Sequence, residues 1–217
     1  MGRIIEKELH ELKDKLLRIG ALVETQLDRS IKSLVERDTP LAKIVINADH
    51  EVNTLEVEID EDCIRLLALR QPEAGDLRFV TTAMKIVTDL ERMGDLAVDI
   101  SERALELNEE PILKPYIDIP RMARAASEML REALDAFVHK DAEMAWKVLD
   151  KDDFVDDLNK QIFRELLTYM IEDPHTISRA IRISYISKYL ERVADHATNI
   201  AEMVVYLVEG KMIRHLT

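Results

Sequence analysis

The stretch DLERMGDLAVDISE at residues 89–102 returns as YLERVADHATNIAE at 189–202. Leu90, Glu91, Arg92, Asp95, Ile100 and Glu102 recur one hundred residues later as Leu190, Glu191, Arg192, Asp195, Ile200 and Glu202. Further upstream the same comparison needs an offset of 103, which sets Val35, Asp38 and Asp49 on Val138, Asp141 and Asp152. The three-residue difference is absorbed at a turn, where QPEAGD in the first copy stands against EDPHT in the second. A chain that matches itself once, at so long a period, is two copies of one folding unit rather than a solenoid of short repeats.

Each unit reads as three helices. Apolar residues make up 47% of the chain and charged ones 34%, while aromatics are 5% and there are only five Gly and six Pro. Straight-chain residues lose little rotamer freedom in a helix, so this palette favours long amphipathic helices. Leu9, Leu12, Leu16, Ile19, Val23, Leu27, Ile31 and Leu34 follow one another at three- and four-residue steps and predict a helix over 4–37. In DTPL (38–41), Thr39 is expected as N-cap with Pro40 at the first helical position. A second helix then runs to about Arg70 and a third to about Glu109. Pro111, Pro115 and Pro120 mark the one long connection, EEPILKPYIDIP. Three more helices are expected over 119–139, 141–171 and 175–209, with EDPHT (172–176) as the second break. The expected architecture is all-α: two tandem repeats, each an antiparallel three-helix bundle, over 1–111 and 112–217.

Residues at i, i+4, i+8 and i+11 keep within a helical stripe about 80° wide. Glu91, Asp95, Asp99 and Glu102 form one stripe, and Glu191, Asp195, Asn199 and Glu202 form its counterpart. Both border a core-like face (Leu90, Met93, Ala97, Ile100; Leu190, Val193, Ala197, Ile200) instead of opposing it. Like charges four apart destabilise an isolated helix by a few tenths of a kcal/mol per pair, and three in a row are tolerated more easily if cations, from Arg92 and Arg192 or from a metal, neutralise them. The second helix of each repeat carries a partner stripe: Asp49, Asn53 and Glu56, then Asp152, Asp156 and Asn159. Antiparallel packing lets the oxygens of the two stripes converge. Carboxylate and amide oxygens suit hard or borderline cations such as Fe, Zn, Mn or Mg. Spacing alone leaves a solvated acidic face equally open. Gly94 and Ala194 lie within the stripes, where a small residue allows close helix approach without any ligand.

Other signals narrow the function classes. A net charge of −13 repels phosphate backbones and argues against nucleic-acid binding. Cys63 sits alone in an apolar helical run and reads as a buried, inert thiol. No apolar stretch approaches the roughly 20 residues of a membrane span, and MGRIIEKELHELK carries no signal-peptide core, so a cytoplasmic protein is expected. His50 and His196 each follow an aspartate and point ~100° away from it, which reads as a surface position or a neighbour of a site rather than a ligand. Glu-x-x-His occurs only as Glu172 to His175, across Pro174, which disfavours a ferritin-like oxidase. Trp146 and the nine Met read as core packing. Gly-rich phosphate loops, Gly-x-Ser-x-Gly elbows and cysteine zinc patterns are absent from the sequence, so no catalytic nucleophile or base is nominated.

DHEVN (49–53) with Glu56, RQPEAGDLR (70–78), ERMGD (91–95), EDPHTI (172–177) and ERVADHATNIAE (191–202) together resemble the PhoU family of bacterial phosphate-signalling regulators, over essentially the full length. The resemblance implies two similar three-helix bundles, a likeness to proteins that are often homodimers, and acidic motifs that hold iron or zinc in some members. Carried across, those motifs are Asp49, Asn53, Glu91 and Asp95 in the first repeat, and Asp152, Asp156, Glu191 and Asp195 in the second. Glu56, Asp99 and Asn199 extend them. Asn53 and Asn199 stand where an acid is expected. The implied role is non-enzymatic: negative regulation of phosphate uptake and of the phosphate-starvation response. The implied partners are the ATPase of the phosphate ABC transporter and a sensor histidine kinase, with membrane contact only through them. A metal-dependent phosphoester hydrolase and a metal-free helical adaptor are the alternatives.

Overall fold

A computed structural model describes residues 2–210. The expected all-helical architecture is borne out. The helices are α1 (Gly2–Val35), α2 (Thr39–Arg70), α3 (Ala74–Asn108), α4 (Asp118–His139), α5 (Ala142–Leu149), α6 (Asp152–Glu172) and α7 (Ile177–Glu209), with a 3₁₀ turn at Pro174–Thr176 before α7.

The two repeats use the same first turn. Arg37 and its counterpart Lys140 both close their helix in the left-handed region, at φ 58° and 54°. Asp38 and Asp141 then cap the next helix, their carboxylates accepting from the Leu41 and Met144 N–H groups at 2.9 and 3.0 Å. Asp38 is therefore the N-cap that sequence reading gave to Thr39. A carboxylate three residues before a free N–H satisfies it better than the β-branched hydroxyl one position on.

One expected helix is broken. The span 141–171 divides into α5 and α6 at Asp150–Lys151, where the backbone tightens: Lys151 N–H donates to Val148 O at 3.1 Å and Phe154 N–H to Lys151 O at 3.2 Å. Lys151 reaches across to Glu132 on α4, at 2.7 Å. The first repeat has Asn47, Ala48, Asp49 and His50 at the equivalent positions and continues unbroken.

The bundles are not separate. Helix α3 packs along α7 and α1 against α4, and the buried side chains of both repeats form one continuous cluster. Asp89 pairs with His196, and Glu106 with Arg182, so α3 and α7 run antiparallel. His196 is 8% exposed, with Nδ1–H donating to Asp89 Oδ1 at 2.8 Å, so it is an inter-repeat strut and not a surface residue. The connection is tied down by arginines. Arg37 donates to the carbonyls of Asn108 and Glu110 at 2.6 and 2.7 Å, and Arg179 to that of Pro111 at 2.9 Å.

Close approach explains Gly20 of α1. The Leu134 side chain on α4 occupies the space that a Cβ on Gly20 would take. Trp146 departs from expectation: it is 39% exposed and its indole N–H donates to Glu209. Met93, Met122, Met129 and Met203 are buried, and Met84, Met144 and Met170 pack against the core. Met1 and Met212 lie outside the described residues.

Candidate functional site

The stripes on α3 and α7 adopt the same environment. Residues 91–101 and 191–201 show an identical succession of buried, half-buried and exposed positions, with Glu91 and Glu191 half-buried and Asp95 and Asp195 exposed. Gly94 earns its place here. A Cβ at that position would press on Val52 at 3.3 Å, which allows α2 to lie close enough for its acids to face those of α3.

In the first repeat, burial raises the pKa of Glu91, and Asp95, Glu56 and Asp49 raise it further, in that order. Burial and then Asp49 raise that of Asp95. The expected α2 and α3 acids therefore share one electrostatic field. Asn53 donates to Asp49 Oδ2 at 2.8 Å, while Asp49 Oδ1 is buried with no hydrogen-bond partner. Asp99 stands at the edge of this group. Burial, Glu102 and Asp95 raise its pKa, but Arg103 and Arg192 offset them.

In the second repeat Asp152 is pushed up to about 6, by burial first and then by Asp195, Asp156, Asp153 and Glu191. Burial and Glu191 raise Asp195 as well, with Lys188 acting in opposition. This cluster already contains cations: Lys188 pairs with Glu191, and Lys160 lies 3.7 Å from Asp156. Asn159 accepts from the Ser187 hydroxyl and so ties α6 to α7, and Asn199 is half-buried. The clusters gather without closing. Among the described residues, no three carboxylate, imidazole or thiolate groups converge tightly enough to hold one ion.

Gln26 was not found by sequence reading. It comes from α1, is 5% exposed, and donates to Ala48 O at 3.3 Å, leaving Oε1 buried without a partner on the inner side of Gly94. Its counterpart is Met129, so comparing core positions between repeats is the signal that reveals it. His50 is exposed with its ring on the Asn47 carbonyl, and His175 is exposed against Asp173. Cys63 is fully buried, and burial lifts its thiol to about 12, which makes it inert.

The electrostatics of Asp152 give a pH prediction for protein freed of multivalent cations by chelator. Its folded pKa lies above the unfolded value of roughly 3.9, so the folded state binds the proton more tightly. The group's contribution to stability is greatest below pH 4, falls as pH rises to about 6, and remains unfavourable above that. Asp152→Asn should raise the melting temperature at pH 7.5 by roughly 2–4 °C and leave it unchanged at pH 4. An equal shift at both pH values would show that ionisation is not the cause.

Comparison with known proteins places this arrangement. The PhoU domain model matches residues 16–104 and again 119–204. The chain is 46% identical over 209 residues to the phosphate-specific transport system accessory protein PhoU homolog of Aquifex aeolicus, covering 96% of this chain and 95% of that one. It is 37% identical over 209 residues to the phosphate-specific transport system accessory protein PhoU of Escherichia coli, covering 96% and 87%. The crystal structure of PhoU from Pseudomonas aeruginosa superposes with a TM-score of 0.91 at 43% identity, over 95% of this chain and 99% of that one. That of the phosphate transport system regulatory protein PhoU from Streptococcus pneumoniae gives 0.89 at 33% identity, over 96% and 99%. With the domain present twice, at the two repeats the sequence announces, this chain belongs to the PhoU domain family.

Proposed function

We propose that the chain is a cytoplasmic, non-enzymatic negative regulator of phosphate uptake and of the phosphate-starvation response. It acts as an adaptor between the ATPase of a phosphate ABC transporter and a sensor histidine kinase. The observation that supports this most is likeness along nearly the whole chain to proteins named as accessory to phosphate-specific transport. Among the described residues no helix is long and apolar enough to cross a membrane, so contact with membrane partners runs through protein surfaces.

The acidic clusters are read as cation sites. Asp49, Glu56, Glu91 and Asp95 with Asn53 would hold one group, and Asp152, Asp156, Glu191 and Asp195 the other, with Asp99 and Asn199 flanking. The donor set fits iron, zinc, manganese or magnesium, and the buried, unpartnered Asp49 Oδ1 leaves an acceptor for one. Bound metal would neutralise the charge that, with burial, raises the pKa values of Glu91, Asp95, Asp152 and Asp195, and would crosslink the second and third helices of each repeat.

One observation favours a metal-free form of the same adaptor in the second repeat. Lys188 and Lys160 already pair with Glu191 and Asp156. In that form the clusters would meet a basic partner surface directly.

The test is genetic. Deleting this gene in its own host should leave a phosphate-starvation reporter switched on in high phosphate, and a plasmid copy should restore repression. Normal repression in the deletion strain would overturn the proposal.

A further inference from the structure

Gln26 is a polar side chain buried where α1 meets the first acidic cluster, and its contacts set the two clusters apart. It is 5% exposed, and its amide nitrogen donates to the Ala48 carbonyl of α2 at 3.3 Å. A carbonyl only accepts, so this contact fixes which end of the amide faces α2. Oε1 then lies 3.5 Å from the point where a Cβ on Gly94 would stand, within the Glu91–Asp95 segment of α3. The amide is held between the two helices that carry the cluster, next to the residue that precedes Asp49.

Two buried acceptors on these elements have no donor, Gln26 Oε1 and Asp49 Oδ1. Asp49 uses its other oxygen to accept from Asn53 at 2.8 Å. Buried polar atoms are nearly always hydrogen-bonded, so both oxygens call for a donor, and Val52, which also faces Gly94, has none to offer. The water shell of a hard divalent cation supplies O–H donors, because Mg²⁺ and ions like it keep several waters when carboxylates bind them. Plain water would also satisfy the acceptors. The carboxylates of Asp49, Glu56, Glu91 and Asp95 add the charge that holds a cation there.

Duplication supplies an internal control. The residue at the position of Gln26 in the second repeat is Met129, fully buried and without an oxygen in its side chain. At the position of Ala48 stands Lys151, in the bend between α5 and α6, so the amide contact has no equivalent. Among the described residues, the acids of the second cluster have no buried oxygen without a partner. Lys188 and Lys160 also bring ammonium groups to that cluster, whereas Thr88 and Val57 stand at their positions in the first.

We propose that the first-repeat cluster is the tighter of the two cation sites, that it takes a hydrated divalent cation, and that Gln26 is its positioning residue. Oε1 accepts from water on the ion, while the amide nitrogen keeps its hold on Ala48. The inference rests on the reading of the clusters as cation sites and divides them: one repeat is built for an ion and the other for its own lysines.

The test is Mn²⁺ binding to chelator-treated full-length protein, followed by isothermal titration calorimetry. E191A/D195A, which keeps the first cluster, should retain the tighter affinity of the unaltered protein. E91A/D95A, which keeps the second, should bind at least about tenfold more weakly. Adding Q26M to E191A/D195A installs the second-repeat residue and should weaken binding about tenfold or more, the usual cost of removing a partner behind a metal's ligands, with helical circular dichroism unchanged. Q26E in the same background keeps an acceptor at the same reach and should bind at least as tightly as its parent. Equal affinities of the two single-cluster variants, tighter binding by E91A/D95A, or unchanged binding in Q26M overturns the proposal. So does a Q26E as weak as Q26M, since the loss would then come from the Ala48 contact. Should Q26M fail to fold, Q26E and the two single-cluster variants still decide. An unaltered protein that binds no Mn²⁺ would sink the cation reading itself, and this inference with it.

Discussion

A variant with Glu91, Asp95, Glu191 and Asp195 all replaced by alanine is expected to fold normally and to lose phosphate repression in the deletion strain. Normal folding follows from the physics of the site. Asp95 and Asp195 are exposed and Glu91 and Glu191 half-buried, so truncation opens no core cavity. Burial and neighbouring acids raise the pKa values of Glu91, Asp95 and Asp195, so the ionised groups cost stability as they stand. Alanine is also the best helix former, and each relieved i, i+4 repulsion returns a few tenths of a kcal/mol. The variant should melt at or above the wild-type temperature, while multivalent metal recovered on purification without chelator falls to background.

This combination separates the readings. Loss of repression with lost metal supports cation-dependent signalling. Loss of repression in the variant, where the wild-type protein itself carries no metal, supports the metal-free adaptor, with the acids facing a partner. Normal repression from the fourfold variant removes the clusters from the function altogether. A lowered melting temperature would mean that the ionised acids stabilise the fold instead of straining it.

The fold was legible because duplication prints the same constraint twice. Asp38 and Asp141 cap their helices identically, and residues 91–101 and 191–201 bury the same positions. Periodicity also located the core faces of α1 and α3. Features that depend on a contact between helices were not legible. His196 looks like a polar residue beside an aspartate until α3 is brought against α7 and supplies Asp89. Gln26 lies between the core residues Val23 and Leu27, and nothing local says that its amide meets α2 beneath Gly94. The bend at Asp150–Lys151 falls where hydrophobic periodicity continues through it, so counting apolar residues could not detect it. The candidate site was read as two stripes, and the structure sets them in shared fields. Whether those oxygens coordinate an ion depends on ångström-scale convergence that no sequence spacing specifies.

Phe137→Ala is expected to destabilise the fold severely. Phe137 on α4 is fully buried and stacks on Phe79 of α3, with centroids 4.6 Å apart and planes 16° from parallel. Lys13 and Lys140 lie over the Phe79 ring at 5.3 and 5.9 Å. Truncation removes a buried ring, leaves a cavity between helices of different repeats, and breaks the stack. Such changes cost about 3–5 kcal/mol, against a total stability of roughly 5–15 kcal/mol. A melting temperature lower by roughly 6–20 °C should follow. Because the buried side chains of both repeats form one cluster, the loss should appear in a single cooperative transition, with tryptophan fluorescence from Trp146 and helical circular dichroism coinciding. Phe163→Ala is the control: the same chemical change at a 48% exposed site with no cavity to create should move the midpoint little. Two separated transitions in Phe137→Ala would mean that the repeats can unfold one at a time, and that the α3–α4 stack decorates two cores instead of joining one.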